Sequence, residues 1–465
     1  MYKTKQSQPK SPDFDVIIIG TGSGGSVAAH MLNRQGKKVA AIEQELMGGE
    51  CPNYGCIPTK ALLQAAETLQ TVRRAEDFAI KVDGTPSVDY PALKKWKDKA
   101  VWNTGTHAGE QNYEEDGIKV IRGHAHFIDP WTLSVKGRRY TAKRFLIASG
   151  THDFIPPIKG LDDVGYIGYR EALEFTKPPK KLFIVGGGAI GCEFSEIFST
   201  FGVEVHIAEA GPRLLGKEDE EVSELITALF EQKGITVHVD AKVVKVEKKA
   251  SKKVVHVQEN DKVTKITVDE IMMAAGKIPN TDLGLENAGV EYDERRGIRV
   301  NKEMQTTTEH IYAAGDVTGG YMFTHTANYQ SRIAASNMFS DLKHRADYSA
   351  VPRCIFITPE VASVGKTEAE LKNAGVAYQV GMVPISWLGR ANTSQEDTGF
   401  VKIIADKKGK LLGGCIVAPR AGEMIHELTL AIQWGMKASK IVWTIHAFPT
   451  WSQAVRSAAN KIKCG

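Results

Sequence analysis

Two segments of the chain share one order of apolar and polar positions. In residues 15–43 an apolar run typical of a β-strand precedes a glycine-rich turn, a helical stretch, a second apolar run and a glutamate. Residues 181–209 repeat this order. The first glycine and the closing glutamate are equally far apart in the two copies, at Gly20 and Glu43 and at Gly186 and Glu209. The repeat predicts two βαβ units in one chain.

Each copy carries three glycines at GxGxxG spacing. The first allows a tight turn out of the strand, the second lets the backbone approach a pyrophosphate, and the third lets the helix pack close to the sheet. The pyrophosphate then lies at the helix N-terminus, and the closing glutamate accepts hydrogen bonds from ribose hydroxyls. The pattern therefore predicts two dinucleotide sites. The triplets are Gly20, Gly22 and Gly25 in the first copy and Gly186, Gly188 and Gly191 in the second.

Further apolar runs organise the rest of the chain. FLIASG at 145–150 ends the first unit, and EIMMAAGKIPN at 270–280 ends the second. Beyond Asp347 alternating strands are followed by helical segments. This C-terminal pattern predicts a third domain of the α+β class.

Composition excludes several classes of protein. The 465 residues are 42% hydrophobic and 25% charged, and 59 basic against 55 acidic side chains leave a net charge of +4. A charge this small predicts no nucleic-acid partner, and six cysteines are too few for a disulfide-stapled secreted scaffold. No apolar stretch is long enough to span a membrane, and the polar first twelve residues lack the core of a secretory signal. We expect a cytoplasmic protein.

A pair of cysteines lies in GGECPNYGCIPTKALL, residues 48–63. Cys51 and Cys56, with four residues between them, could be half of a metal site, two unrelated thiols or a redox disulfide. No second CxxC or HxxxH supplies further ligands, so we predict no resident metal. The segment after Cys56 is typical of a helix, whose N-terminus stabilises a thiolate. Its place just after a dinucleotide motif favours a disulfide stacked against a flavin.

With these motifs the chain resembles the pyridine nucleotide–disulfide oxidoreductases, which include glutathione reductase, dihydrolipoyl dehydrogenase and mercuric reductase. The resemblance runs from Asp15 to about Asn460 and is carried by GTGSGG, GGECPNYGCIPTK, GGGAIGCE, GKIPN and AAGDV. It implies an α/β fold with two Rossmann-like dinucleotide-binding domains and a C-terminal α+β dimerisation domain. The expected segments are 1–150 and 277–346 for FAD binding, 151–276 for NAD(P) binding and 347–465 for dimerisation.

The resemblance also implies the site residues. Cys56 would be the thiol beside the flavin and Cys51 the interchange thiol facing the substrate. Lys60 would pair with Glu193 near the reactive flavin nitrogen and steady negative charge there. The residues implied for FAD are Gly20, Gly22, Gly25, Glu43 and Asp316, those for the nicotinamide nucleotide are Gly186, Gly188, Gly191 and Glu209, and Gly150 and Gly276 also belong to the cofactor sites.

Glu209 bears on which nicotinamide nucleotide is used. A carboxylate at the ribose repels a 2′-phosphate, and no Arg or Lys follows before Arg213. We therefore expect NADH rather than NADPH.

The chain departs from the family near its C-terminus. Members that use dithiols carry HxHPTxxE there, whereas residues 446–453 read HAFPTWSQ. Phe448 replaces the acid–base histidine, and Gln453 replaces the glutamate that orients it. Phenylalanine cannot move a proton, and losing such help costs about 10²–10⁴ in rate. His446 could substitute only if the backbone shifted.

Mercuric reductases also lack this histidine–glutamate pair, since a soft metal needs thiolates rather than a proton shuttle. They usually present two adjacent cysteines near the C-terminus, where this chain has only Cys464. We predict a homodimeric, mercuric-reductase-like enzyme that passes electrons from NADH through FAD and Cys51–Cys56 to a thiophilic or disulfide acceptor, each site being completed by the partner's third domain. Three alternatives are a dihydrolipoyl dehydrogenase, an NADH:quinone or diaphorase-type reductase, and a non-catalytic FAD-binding redox sensor.

Overall fold

The computed structural model describes residues 8–463, so the first seven residues and Cys464 lie outside the described residues. The β-strands of this range are β1 Phe14–Ile19, β2 Val39–Glu43, β3 Lys119–Arg122, β4 Ala125–Asp129, β5 Thr132–Val135, β6 Arg138–Ile147, β7 Thr151–Asp153, β8 Lys181–Val185, β9 Glu204–Ala208, β10 Thr236–His238, β11 Ala241–Lys249, β12 Lys252–Glu259, β13 Lys262–Val268, β14 Glu270–Met273, β15 Lys277–Pro279, β16 Tyr292–Asp293, β17 Gly297–Ile298, β18 Ile311–Ala313, β19 Arg353–Ile355, β20 Glu360–Gly365, β21 Tyr378–Pro384, β22 Phe400–Asp406 and β23 Leu411–Ala418.

Helices connect some of these strands and follow the last one. The α-helices are α1 Ser23–Arg34, α2 Glu50–Asn53, α3 Cys56–Arg73, α4 Tyr90–Trp102, α5 Gly109–Glu115, α6 Leu161–Val164, α7 Tyr169–Ala172, α8 Ala189–Thr200, α9 Glu220–Gln232, α10 Thr324–Met338, α11 Glu368–Asn373, α12 Gly389–Ser394, α13 Ala421–Gln433, α14 Ala438–Trp443 and α15 Gln453–Ala459.

The first of two compact units comprises residues up to Thr59, Lys95–Phe154 and Gly276–Asp347. Its sheet has the order β3-β2-β1-β6-β5-β4, with β18 on β6. β1, β2, β3, β6 and β18 pair in parallel, and β4, β5 and β6 form an antiparallel meander. β1 and β2 are apolar almost throughout, as expected for parallel strands covered on both faces.

The second unit comprises Lys60–Lys94, Ile155–Ala275 and residues from Tyr348 onward. Its part within Ile155–Ala275, which contains the second glycine motif, has a parallel sheet of order β10-β9-β8-β14 and a three-stranded antiparallel sheet, β11-β12-β13. Alternate residues of the antiparallel strands, such as Val255 and Val257 on β12, join Phe183 of β8 in one apolar cluster. The two sheets therefore pack face to face around a shared core.

The C-terminal part of this unit contains an antiparallel sheet of order β19-β20-β23-β22-β21. Helices α13 and α15 pack on it, and apolar side chains such as Ile403, Ile416 and Leu428 form its core. This is the α+β domain expected from the sequence, and the fold class is confirmed. The proposed domain boundaries stay a prediction. Among residues 8–463, no helix combines the length and hydropathy needed to cross a membrane.

Candidate functional site

The two glycine motifs fold into nearly identical turns. Gly20 and Gly186 both have positive φ, +97° and +116°, which disfavours any side chain. The third glycine of each motif, Gly25 or Gly191, packs closely on the first. A Cβ added to it would lie 1.9 Å from the carbonyl oxygen of the first glycine in the same motif. This close approach seats α1 and α8 directly on the ends of β1 and β8.

The acidic residue that ends each motif is held by backbone N–H groups of the turn. Glu43 Oε2 accepts hydrogen bonds from the amide and hydroxyl of Thr21, at 2.9 and 2.7 Å. In the second copy Glu209 accepts from the amides of Gly187 and Gly211, both at 2.8 Å. Each carboxylate therefore fixes the turn that follows the first glycine by accepting its hydrogen bonds. The sequence pattern alone did not reveal this structural role. Carboxylate oxygens have further lone pairs that can accept from a ribose.

The second glycine of each motif caps its helix. A Cβ on Gly188 would meet nothing within 4 Å, so the N-terminus of α8 opens onto unfilled space. At the equivalent Gly22 the nearest atom is the Cα of Gly49, 3.6 Å from such a Cβ. Both helix starts thus have the exposed N–H groups and small residues that a pyrophosphate requires.

Gly150 and Gly276 lie where strands enter a short ribbon formed by β7 and β15. Both have positive φ, and a Cβ on either would meet no atom within 4 Å. The carbonyl of Gly150 accepts from Asn280 N at 2.9 Å, and that of Gly276 accepts from Phe154 N at 2.9 Å. These two predicted cofactor residues therefore flank one ribbon and leave space beside it.

The first unit has the features that FAD requires. The Thr326 hydroxyl, in the first turn of α10, is buried and has no hydrogen-bond partner among the described residues. Asp316 lies at a turn after β18, and burial raises the pKa of its carboxyl. An orphaned hydroxyl and a buried carboxyl in the same unit as the Gly20 turn fit a bound polar ligand. Gly20, Gly22, Gly25, Glu43 and Asp316 stay the residues predicted to hold FAD.

The two cysteines lie at consecutive helix starts in the first unit. Cys51 is in α2 and Cys56 is the first residue of α3. Their thiols are hydrogen-bonded neighbours, and the hydrogen bond to Cys56 together with burial raises the pKa of Cys51. Thr324 Oγ1 lies 3.5 Å from Cys56 Sγ. The threonine hydroxyl can hydrogen-bond a thiolate on Cys56, and the sequence offered no signal for this contact.

Lys60 and Glu193 form the predicted ion pair within the second unit. Lys60 Nζ lies 2.9 and 2.8 Å from the two carboxylate oxygens of Glu193, which is 5% exposed. The backbone amide of Phe356 donates to the same carboxylate at 3.1 Å, and Lys60 Nζ lies 4.6 Å above the Phe356 ring. The aromatic face and the carboxylate together fix the ammonium group. Lys60 and Cys56 are four residues apart in α3, the spacing of two side chains on one helix face.

The C-terminal loop, residues 444–452 between α14 and α15, carries Phe448 at the place of the motif's acid–base histidine. Phe448 is 78% exposed, and Gln453 is the first residue of α15. His446 has its own acidic partner, since Nε2 lies 2.9 Å from Glu427 on α13 and Nδ1 lies 2.9 Å from the carbonyl of Thr444. Both ring nitrogens therefore face acceptors in this chain. The sequence did not point to Glu427, because the partner lies on another helix.

Large apolar side chains are exposed around this loop. Three of them lie within one short stretch: Trp443 is 86% exposed, Ile445 98% and Phe448 78%. Leu430 of α13 and Trp434, directly after that helix, are 61% and 75% exposed. Large exposed apolar side chains of this kind are typical of a protein–protein interface.

Comparison with known proteins identifies the family. Residues 14–331 match the model described as pyridine nucleotide-disulphide oxidoreductase, and residues 351–459 match its dimerisation domain. A mercuric reductase of Bacillus cereus is 35% identical over 96% of this chain and 71% of its own length. A dihydrolipoyl dehydrogenase of Thermus scotoductus is 37% identical over 97% of both chains.

A solved structure of an HOCl-induced flavoprotein disulfide reductase, RclA of Escherichia coli, is similar over 97% of this chain and 100% of that chain, with a TM-score of 0.86 and 30% identity. A Cu(II) complex of the same reductase matches with a TM-score of 0.87 and 29% identity. The dimerisation domain indicates a homodimer. The chain therefore belongs to the pyridine nucleotide-disulphide oxidoreductase family and is an oxidoreductase that binds FAD and NAD(P)H.

Proposed function

We propose that this oxidoreductase uses NADH to reduce a thiophilic metal ion, taken as its substrate, at the Cys51–Cys56 pair. The observation that carries the proposal is the C-terminal loop. Phe448 has no titratable group, and both nitrogens of His446 face acceptors. A disulfide substrate needs a proton delivered to its leaving thiolate, whereas a soft metal ion needs only sulfur ligands.

Two relatives support a metal acceptor. One is named a mercuric reductase, and the RclA structure is a Cu(II) complex. With Hg(II), one NADH would give NAD⁺, H⁺ and Hg(0). With Cu(II), one NADH would reduce two ions to Cu(I) and again release NAD⁺ and H⁺. Both reactions balance without an additional reductant.

The chain's own residues have defined parts in this proposal. Glu209 would accept the ribose hydroxyls, and the N-terminus of α8 at Gly188 would bind the pyrophosphate. The Lys60 ammonium, fixed by Glu193, would offer a pre-placed positive charge. Cys51, which the family resemblance implies to be the interchange thiol, would meet the substrate as the outer thiol. Bound FAD would carry two-electron chemistry between the nicotinamide and the cysteine pair.

The partner subunit has a part in the same proposal. The exposed apolar side chains of the C-terminal loop would be covered by the second copy, which would complete each site. Trp443→Asp should then weaken the dimer, because a charge would replace an exposed indole at the interface. Gel filtration would detect this, and a variant that stays dimeric at micromolar concentration would contradict this placement.

Dihydrolipoyl dehydrogenase activity is the second candidate. It is favoured by the full-length match to the Thermus scotoductus relative, which covers 97% of both chains. The two candidates differ in their need for proton transfer at the loop, so one assay separates them.

The test measures anaerobic NADH oxidation with four acceptors in parallel. These are Hg(II) held by excess small thiol, Cu(II) held by an amino-acid chelator, lipoamide and a quinone. Turnover that requires a metal ion and is lost in Cys51→Ser supports the proposal. Cys354→Ser is the matched control, because this partly exposed thiol lies in the C-terminal domain outside the pair. It should keep wild-type turnover.

The other outcomes decide against a metal substrate. Faster turnover with lipoamide than with either metal would assign the dehydrogenase function. Turnover with the quinone alone, unchanged in Cys51→Ser, would mean that the cysteine pair is not on the electron path. NADH that fails to bleach the flavin would favour the redox-sensor alternative.

A further inference from the structure

A buried lysine connects the C-terminal part of the second unit to the part within Ile155–Ala275, which contains the second glycine motif. Lys402, on β22, is 1% exposed. Its Nζ lies 2.9 and 2.8 Å from the carboxylate oxygens of Glu221 and 3.4 Å from Asp219, and it also contacts Glu368. Burial opposes the charge, but the hydrogen bonds that Lys402 donates to Glu221 and Glu368 raise the pKa of Lys402, which stays an ammonium.

A second set of contacts lies beside this lysine. Glu218, 6% exposed, accepts from Arg353 Nε at 3.2 Å and from the hydroxyl of Ser363. The backbone amide of Glu368 donates to Asp219 at 2.9 Å. The short segment 218–221, where α9 begins, is therefore held by residues of strands β19, β20 and β22 and of the start of α11.

The segment 218–221 overlaps the end of a loop, residues 210–219, which begins directly after Glu209. Within the loop the amide of Leu215 donates to the carbonyl of Gly187 at 2.8 Å, and that of Glu218 donates to Leu215 at 2.8 Å. Leu214 is fully buried against Gly187, where an added Cβ would lie 2.6 Å from its Cδ2. The loop thus packs on Gly187, which lies between the first and second glycines of the second motif.

Gly187 is also the residue whose amide holds Glu209 at 2.8 Å. A continuous path of contacts runs from Lys402 through Asp219 and the loop to Gly187 and the Glu209 carboxylate. Without the ammonium group, the buried carboxylate of Asp219 and the partly exposed carboxylates of Glu221 and Glu368 would face one another, and repulsion would displace the end of the loop.

We propose that Lys402 is a positioning residue for the nicotinamide nucleotide: from the C-terminal sheet it fixes the loop 210–219 against Gly187 and thereby keeps Glu209 in place for the ribose. The inference rests on the nucleotide site proposed above. It couples the domain that dimerises to the affinity for the nucleotide, although Lys402 does not touch the nucleotide itself.

The test compares NAD⁺ binding by calorimetry in the FAD-loaded dimer with the rate of flavin reduction by NADH in stopped flow. Lys402→Met should raise the Kd for NAD⁺ by about tenfold. Ser363→Ala removes only one hydrogen bond to Glu218 and should raise it by about threefold. The limiting rate of flavin reduction at saturating NADH should stay within about twofold of wild type in both, since neither residue touches reacting atoms.

A matched control separates positioning from general loss of an ion pair. Lys253, on β12, is paired with Glu270 and also donates to the carbonyl of Gly165 at 2.9 Å, away from the loop. Lys253→Met should lower the melting temperature but leave the Kd for NAD⁺ within about twofold.

Two results would overturn the inference. The first is an unchanged Kd in Lys402→Met and Ser363→Ala; if Lys402→Met does not fold, Ser363→Ala alone decides. The second is a limiting rate that falls while the Kd stays constant. If the wild-type protein does not bind NAD⁺ at all, the proposed nucleotide site is refuted. If wild type and variants bind NAD⁺ equally well, the site stands and only the role of Lys402 is refuted.

Discussion

Two glycines of the second motif should respond to alanine in opposite ways. At Gly191 an added Cβ would lie 1.9 Å from the carbonyl oxygen of Gly186 and 3.5 Å from Ile184 Cγ2. Since backbone cannot rotate away as a side chain can, α8 must move off the sheet by more than about 1 Å to restore ordinary contact. At Gly188 the same atom would meet nothing within 4 Å, and its φ of −79° suits alanine.

The magnitudes follow from these distances. Overpacking of this kind costs about 1–3 kcal/mol. At about 2–4 °C per kcal/mol, Gly191→Ala should lower the melting temperature by roughly 2–12 °C. Gly188→Ala should cost less than about 1 kcal/mol, since it changes only a helix cap. Its methyl group would instead occupy the space over the α8 N-terminus, and losing charge-assisted hydrogen bonds there should weaken NAD⁺ binding by about 10–100-fold.

Thermal unfolding of FAD-loaded protein and calorimetric titration with NAD⁺ measure the two effects separately. A Gly191→Ala variant that melts at the wild-type temperature would refute the close approach between helix and strand. A Gly188→Ala variant that binds NAD⁺ with wild-type affinity would refute the placement of the pyrophosphate at this helix.

Three other perturbations test separate parts of the molecule. Lys60→Met leaves the Glu193 carboxylate without its cation and should lower the free energy of unfolding in urea by about 1–3 kcal/mol; if adding Glu193→Leu recovers none of the loss, the ion pair is not its cause. Phe448→His with Gln453→Glu should raise lipoamide turnover at least about tenfold in the NADH assay, because it restores an acid–base pair; no gain in a folded double variant would contradict the account of the loop. Burial lowers the pKa of His310 from its ordinary value of 6.5, so the unfolded chain binds more protons just below that pH, and the stabilisation present above pH 6.5 is lost as the pH falls. The melting temperature should therefore decline as the pH falls below about 6.5, and less steeply in His310→Gln; parallel curves for the two proteins would count against a contribution from His310.

The order of apolar runs, glycines and acids determined the fold class and the family. These features are local: a tight turn, a helix packed on a strand and a carboxylate after the second strand each require particular residue types at fixed spacing. Gly20, Gly186 and the two closing glutamates could therefore be found without coordinates. The Lys60–Glu193 pair was also predicted, but only through the family resemblance, since the two residues are far apart along the chain.

Contacts between distant segments could be decided only by the tertiary structure. Thr324 beside Cys56, Phe356 beside Lys60 and Glu427 beside His446 come together because sheets and helices bring remote residues to one place, and no periodic pattern encodes such pairs. Lys402 is the clearest case. In the sequence it is one lysine in a strand that is otherwise apolar until Asp406. Its burial beside three carboxylates requires the folded sheet, and it makes the lysine a link between the C-terminal sheet and the start of α9.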